Sequence, residues 1–326
     1  MHELAIADRV EVLVLVDNAT DNLSSAPEFV ESEFRRFWNR GGRILSGRCL
    51  CCAAHGLSCA ITAWRGGKAK TLLFDTGPDA AVFERNVERL GFDIGAVDGI
   101  VLSHGHWDHG GAMLRALEMI QTANGGREVP VYMHPEMYRT RATRTPDGSM
   151  HLFEDIPSAA ALEKHGAHVV HATQAQRVLD DLFFVSGEIP RVTRFETGLP
   201  NHYRRTEDDS GWEADPLIAD ERFVAVRIKD KGIFVFTACS HAGVVNVLTH
   251  ARDAFPGQKL HGVMGGLHLS GSSMEKIIPE TVEALRAFDL KTIAAGHCTG
   301  WRATGALASA FGPVVVPTAV GKTFRL

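Results

Sequence analysis

The chain has 326 residues, 45% hydrophobic and 22% charged, with a net charge of −5. That balance excludes disordered, collagen-like and low-complexity architectures, and the acidic excess gives no reason to expect nucleic acid as a partner. No run approaches the roughly 18 apolar residues that span a bilayer, and no secretory pattern opens the sequence. The six cysteines are therefore expected in a reducing cytoplasm.

In chain order, residues 11–17 (EVLVLVD) read as an apolar strand, and residues 27–48 as a helix followed by a glycine turn. HGLSCAITAW and KTLLFDTG read as two β segments about the turn Gly66–Gly67. DAAVFERNVERLGF has helical spacing closed by Gly91. DGIVLSHGHWDHGG repeats the strand-to-turn pattern before the helical AMLRALEMIQTAN, and PVYMHPE is a further strand. A loop and the helix SAAALEKHG follow, then the strand LFFVSGEIPR. Residues 199–222 are polar without an apolar period and read as an inserted loop over a site. The last third alternates again: strands FVAVRI, GIFVFTACS, LHGVMGGLHL and TIAAGHCTG, with helices near 242–254 and 279–288, then a terminal helix and strand. Two successive blocks of alternating elements, with no Pro/Ser-rich linker, fit one domain over 1–326. The fold class is α/β, a four-layer αββα sandwich.

The sixteen histidines are not scattered evenly. His104-Gly105-His106-Trp107-Asp108-His109 places four ligand-capable side chains in six residues at the end of the strand GIVLS. Positions two apart in an extended segment point the same way, so His104 and His106 can grip one ion. Asp108 and His109 fall where the chain enters a helix and can face a second. Imidazoles with a carboxylate suit one or two divalent ions, zinc first and manganese or iron as others.

HxHxDH after an apolar strand resembles the signature of the metallo-β-lactamase superfamily. The ordered set HGLS, LLFDTG, LSHGHWDHGGA, SGEIPR, TACSHAGVVN, GGLHL and GHCTG resembles the branch related to 7,8-dihydropterin-6-yl-methyl-4-(β-D-ribofuranosyl)aminobenzene 5′-phosphate synthase, over about residues 10–326. The resemblance implies a metal site at the edge of the sandwich, with Asp75 supporting the ligands. It further implies that His241 and His297 complete the ligand set. Cys239 stands where the superfamily has a bridging aspartate, and reads equally as a ligand or a buried small side chain. His268 is a further candidate, for the metal or for contact with substrate, and Asp108 for a catalytic as well as a ligand role. The histidine of the third motif is missing; Glu188 occupies that region, as a ligand or as a partner for Arg191.

Cys49, Cys51, Cys52 and Cys59 do not match paired zinc or cluster spacings and read as ordinary thiols. His165, His168 and His171 read as a solvated edge. Arg35, Arg36, Arg40, Arg43 and Arg48 form either a solvated face or a phosphate-facing patch, and Arg204 and Arg205 could serve a lid. The expected function is a metal-dependent enzyme acting on a small-molecule substrate, phosphorylated or not, with neither nucleic acid nor membrane as partner. It is either a pterin-transferring synthase or a hydrolase of a phosphodiester, thioester or lactone. A metal-containing binding or sensor protein is the reading from another class.

Overall fold

In the computed structural model, which describes residues 4–326, the valine-rich segment is the strand Arg9–Val16. Its side chains divide by alternation. Val10, Val12 and Val14 join a core with Val224, Val226, Phe234 and Phe236, whereas Leu13 and Leu15 pack with Phe83, Val87 and Leu90 of the helix Ala80–Leu90. A strand that buries both faces must lie between a second sheet and a helical layer.

The first sheet has eight strands in the order Ala167–His171, Val129–Met133, Val97–Val101, Lys68–Phe74, Ser58–Arg65, Arg9–Val16, Thr323–Arg325 and Val30–Glu31. The second runs Gln176–Val178, Phe183–Val185, Val224–Ile228, Gly232–Phe236, Leu260–Gly266 and Thr292–Gly296, with Ile6–Ala7 added beside Val224–Ile228. Helices Val244–Ala254, Ile278–Leu285 and Trp301–Phe311 pack through Val247, Leu248, Leu285 and Leu307 onto Ala225, Val235, Val263 and Ile293 of this second sheet. The layers are therefore helix, sheet, sheet, helix, as the alternation of elements implies. No helix among the described residues is long and apolar enough to cross a membrane.

Local chemistry explains most element ends. Asp79 accepts the N–H groups of Ala81 and Val82, and Gly91 takes a left-handed conformation to stop that helix. The helix expected within 27–48 is shorter, Glu33–Asn39, started by Ser32. Its arginines are engaged with the protein: Arg36 and Arg40 donate to the carbonyls of Leu90 and Arg89.

Segment 199–222 departs from the expected loop. Strands His202–Arg205 and Trp212–Ala214 form a hairpin in a third, four-stranded sheet with Arg141–Arg144 and Met150–Leu152. Most residues of these hairpin strands are only partly buried, so no apolar alternation marks them in the sequence. Arg204 pairs with Glu136 and Glu213, and Arg205 lies over Trp212.

The strands of both sheets that matter for function end at one edge. Asp17, Asp75 and Ser103 follow strands of the first sheet; the segments holding Cys239, His268 and His297 follow strands of the second. Helix Val244–Ala254 begins just beyond Cys239 and has no cap of its own. Glu196 caps it from outside, accepting the N–H groups of Val245 and Asn246, both at 2.8 Å. Gly243 (φ +90) permits the approach, since a Cβ there would lie 2.1 Å from the Glu196 carboxyl carbon.

Burial pushes the Glu196 carboxyl up to about 7 from its ordinary 4.5. The folded state thus binds a proton where the unfolded chain has released it. The linked stabilisation is complete below about pH 4.5 and is lost as pH rises through about 7, on the order of 3 kcal/mol. Wild type should therefore lose thermal stability relative to Glu196→Gln across that window, as read from Tm against pH for both proteins. Parallel curves would contradict this account.

Candidate metal centre

The tautomers at the convergent edge follow from the hydrogen-bond partners. Ser103 Oγ donates to Asp75 Oδ2 (2.8 Å), so it accepts from His104 Nδ1 (2.9 Å) and leaves a lone pair on His104 Nε2. Asp75 Oδ2 also takes the Nδ1–H of His109 (2.7 Å), which bares His109 Nε2. His202 Nδ1 donates to the carbonyl of Asp215 (2.9 Å); its Nε2 then accepts from His106 Nε2 (2.9 Å), which bares His106 Nδ1. Asn18 Oδ1 takes the Nδ1–H of His297 (2.9 Å) and bares His297 Nε2.

The bared atoms face one another. His104 Nε2 lies 3.0 Å from His106 Nδ1 and 3.1 Å from His241 Nε2. His109 Nε2 and His297 Nε2 each lie 3.2 Å from Cys239 Sγ. Asp108 Oδ2 is 3.5 Å from His109 Nε2 and 3.4 Å from His297 Nε2. Two donor groups result, His104/Cys239/His241 and Asp108/His109/Cys239/His297, each with its ligand atoms within 4.8 Å of one another. His106 adjoins the first, and Cys239 belongs to both. Burial pushes the Cys239 thiol well above its ordinary range, and the set of imidazoles and carboxylate converging on its sulfur fits divalent cations. Asp75 supports the imidazoles from behind, as expected of it.

Electrostatics agree with that fit. Burial, reinforced by neighbouring imidazoles, holds His104, His106 and His241 well below the ordinary histidine range, in the neutral form that ligates. Burial alone would raise Asp108, but His109 and His297 outweigh it and keep the carboxyl well below its usual range. Burial would lower His109, yet Asp108 and Asp75 outweigh it and raise this group well above its usual range. The second group therefore favours positive charge, which a cation on Nε2 supplies as well as a proton.

Buried carboxylates hold the ligand-bearing turns by their backbone. Asp75 accepts the N–H of Ser103 at 2.7 Å and Asp17 that of His297 at 3.0 Å. Asp220 accepts the N–H of Gly105 at 2.9 Å, and Glu221 those of His241 and Ala242 at 2.7 Å. Asp75, Ser240, His268 and His297 all have φ between +44 and +59, a left-handed backbone rare outside glycine. This strain concentrates where strands hand over to ligands.

His268 is half-buried beside the first group, its ring 4.3 Å from that of His241, and it shares a third donor cluster with Cys239 and Cys298. Glu188 lies outside all three groups, exposed and 3.3 Å from His134. It does not bond Arg191, which donates to the carbonyls of Ile189 and Leu217. Residues 199–222 and the HGLS turn hold what the ligand spacing does not reveal. His202 orients His106, Asp220 and Glu221 hold the turns, and the exposed His55 reaches within 3.4 Å of Asp108. The only sequence signal for His202 was a histidine at the head of a polar segment.

Residues 58–202 match the metallo-β-lactamase superfamily profile. That stretch of the chain, under half of its length, is what the profile covers. It is 29% identical over 255 residues to the 7,8-dihydropterin-6-methyl-4-(β-D-ribofuranosyl)-aminobenzene-5′-phosphate synthase of Methanocaldococcus jannaschii, covering 76% of this chain and 82% of that protein. An uncharacterized protein of the same organism is 27% identical over 77% of this chain and 86% of its own length. Among solved structures of the superfamily, Tm1679, a metal-dependent hydrolase, superposes with a TM-score of 0.69 at 21% identity, covering 97% of this chain and 98% of its own. The Bacillus subtilis protein YhfI gives 0.52 at 11% identity, with 98% and 100% covered. These two likenesses establish the shared fold.

Gly105 tests how tightly the turn His104–His106 is held. A Cβ there would lie 2.1 Å from the Met137 carbonyl oxygen and 2.4 Å from Arg141 Nη1. Gly105→Ala should therefore cost about 1–3 kcal/mol through overpacking, measured as a lowered denaturation midpoint. An unchanged midpoint would show that the turn yields freely.

Proposed function

We propose that the chain is a metal-dependent enzyme acting on a small phosphorylated substrate, with pterin-transferring synthase activity as the leading reading. The observation that carries the metal dependence is the convergence of bared imidazole nitrogens on the shared Cys239 Sγ. His104, His106, His241 and Cys239 would hold one divalent cation, and Asp108, His109, His297 and Cys239 a second. Zinc is the first choice, because a thiolate with imidazoles suits it better than manganese. Cations there supply Lewis acidity towards a phosphoryl or carbonyl oxygen.

The chain's own residues do the rest. Asp75, Asn18 and His202 keep the ligating nitrogens free of protons. Asp108, beyond its ligand role, would fix the reacting group between His55 and His297, which both lie 3.4 Å from its Oδ2. His268, beside His241, would contact substrate. His55 and Trp107, whose rings lie 5.9 Å apart at the opening, would border the bound molecule.

The substrate class rests on the likeness to the archaeal synthase. A reaction of that kind joins an arylamine nitrogen to a pterin methylene carbon; the carbon–oxygen bond to diphosphate breaks, the diphosphate leaves with the electron pair, and the amine loses a proton. Hydrolysis of a phosphodiester, thioester or lactone is the competing reaction.

Elemental analysis of the purified protein should find two metal ions per chain. His106→Ala and His241→Ala should each lose one ion, and Asp108→Ala and His297→Ala the other. Cys239→Ala should weaken both. Retention of metal by all five variants would remove the assignment. Incubation with a pterin methyl diphosphate and an arylamine should release diphosphate and form the coupled product. Ester hydrolysis without coupling would replace the synthase reading with the hydrolase one.

A further inference from the structure

Behind the turn His104–His106 lie two arginines that the proposed chemistry leaves unused. Arg141 and Arg222 are among the largest fully buried side chains of the protein. Arg141 donates to Asp220 Oδ1 at 2.7 Å, but its Nε and Nη1 meet no acceptor. Arg222 is the stronger anomaly: Nε, Nη1 and Nη2 are all buried and none has a hydrogen-bond partner. A guanidinium carries five N–H donors and remains charged in proteins. Burying one with every donor unmatched costs several kcal/mol, and native interiors rarely leave such a group unexplained.

Asp220 links the two arginines, bonded by Arg141 and acting by its charge on Arg222. The Arg222 backbone N–H bonds the Ser103 carbonyl at 2.8 Å, at the same edge as the metal centre. Asp220 is engaged by Arg141 and by the Gly105 N–H, so its charge reaches Arg222 without a hydrogen bond. His134, also buried, lies next to Arg222 and turns its Nε2 towards Glu188. Asp215 Oδ2 makes no hydrogen bond, lying 3.9 Å from Arg141 Nε and 3.4 Å from His202 Nδ1. Among the described residues no carboxylate hydrogen-bonds the Arg222 fork, although the charges of Asp220 and Glu188 reach it.

We infer that Arg222, assisted by Arg141, forms a buried oxyanion site for a group of phosphate size, directly behind the turn that carries His104 and His106. A planar guanidinium fork matches two oxygens of a phosphate in parallel. The phosphate would be either a free resident ion or the phosphate end of a substrate. The site stands on the arginines and does not depend on the proposed reaction.

Isothermal titration of the metal-loaded protein with inorganic phosphate, and separately with ribose 5-phosphate, tests this against Arg222→Met and Arg222→Lys. Metal content is measured in each protein. Arg222→Met should fold, because it exchanges an unpaired buried charge for an apolar chain of similar length. It should keep its metal and bind phosphate at least about tenfold more weakly than wild type. Arg222→Lys, which keeps the charge but loses the fork, should fall between the two. If the sugar phosphate shows the same dependence on residue 222, the site receives a substrate phosphate. If only inorganic phosphate does, the anion is resident. Equal phosphate affinity in wild type and both variants, or no phosphate binding by wild type, overturns the proposal. Either failure leaves the metal stoichiometry of the centre untouched, so the two assignments fail separately.

Discussion

Unprotonated lone pairs crowded into a dry place are the constraint on which this structure depends. His104, His106, His109, His241 and His297 turn ligating nitrogens towards each other or towards Cys239 at 3.0–3.2 Å. Such an arrangement is unfavourable in itself, and small rotations of the rings would relieve it. The surrounding residues prevent those rotations in four of the five rings, His241 having no hydrogen bond at its outer nitrogen. Ser103, Asp75, His202 and Asn18 each bond the outer nitrogen of a ring, and four carboxylates anchor the backbone of the turns. Rigidity here serves electrostatics, since partners fixed in advance need not reorganise when charge arrives.

The sandwich explains why neither half suffices. The first sheet ends in the turn of His104, His106, Asp108 and His109; the second ends in the segments of Cys239, His241 and His297. Every donor group that includes a residue of the first half also needs Cys239 and another residue of the second. A cation would thus tie the sheets together across their common edge, coupling metal affinity to the packing of the core between them. Asp17 reinforces this from the first sheet, by holding the backbone of His297 on the second.

How far the sequence reveals this architecture depends on whether the signal is local. HxHxDH is readable because one strand end and the next helix bring its side chains together. The helix bounds set by Asp79 and Gly91 are readable for the same reason. Cys239, His241 and His297 can be nominated because each follows an apolar strand, but which of them meet is a property of the sheet order. His202, Asp220, Glu221 and Arg222 carry no local mark. They sit in a half-exposed segment whose polar composition resembles an ordinary loop, and their partners lie more than 100 residues away in the case of Asp220 and Arg222. Glu188 shows the opposite error: its place in the order of motifs suggested a ligand, while the fold turns it outward to His134.

A sulfur, rather than a carboxylate, at the junction of the two donor groups bears on what the centre can recognise. A shared thiolate satisfies both donor groups through one soft atom, which favours zinc or iron over oxygen-seeking ions. With the two cations of the proposed function in place, the only anionic ligands would be Cys239 and Asp108, so the pair would stay net positive. A substrate bearing phosphate or diphosphate complements that charge better than a neutral ester does. The same preference would recur behind the first turn, where the Arg222 fork has no hydrogen-bond partner and Arg141 keeps two nitrogens unbonded beside its pair with Asp220. On the two proposals together, regions built from different residues, one from strand ends and one from the polar segment, would favour the same class of ligand.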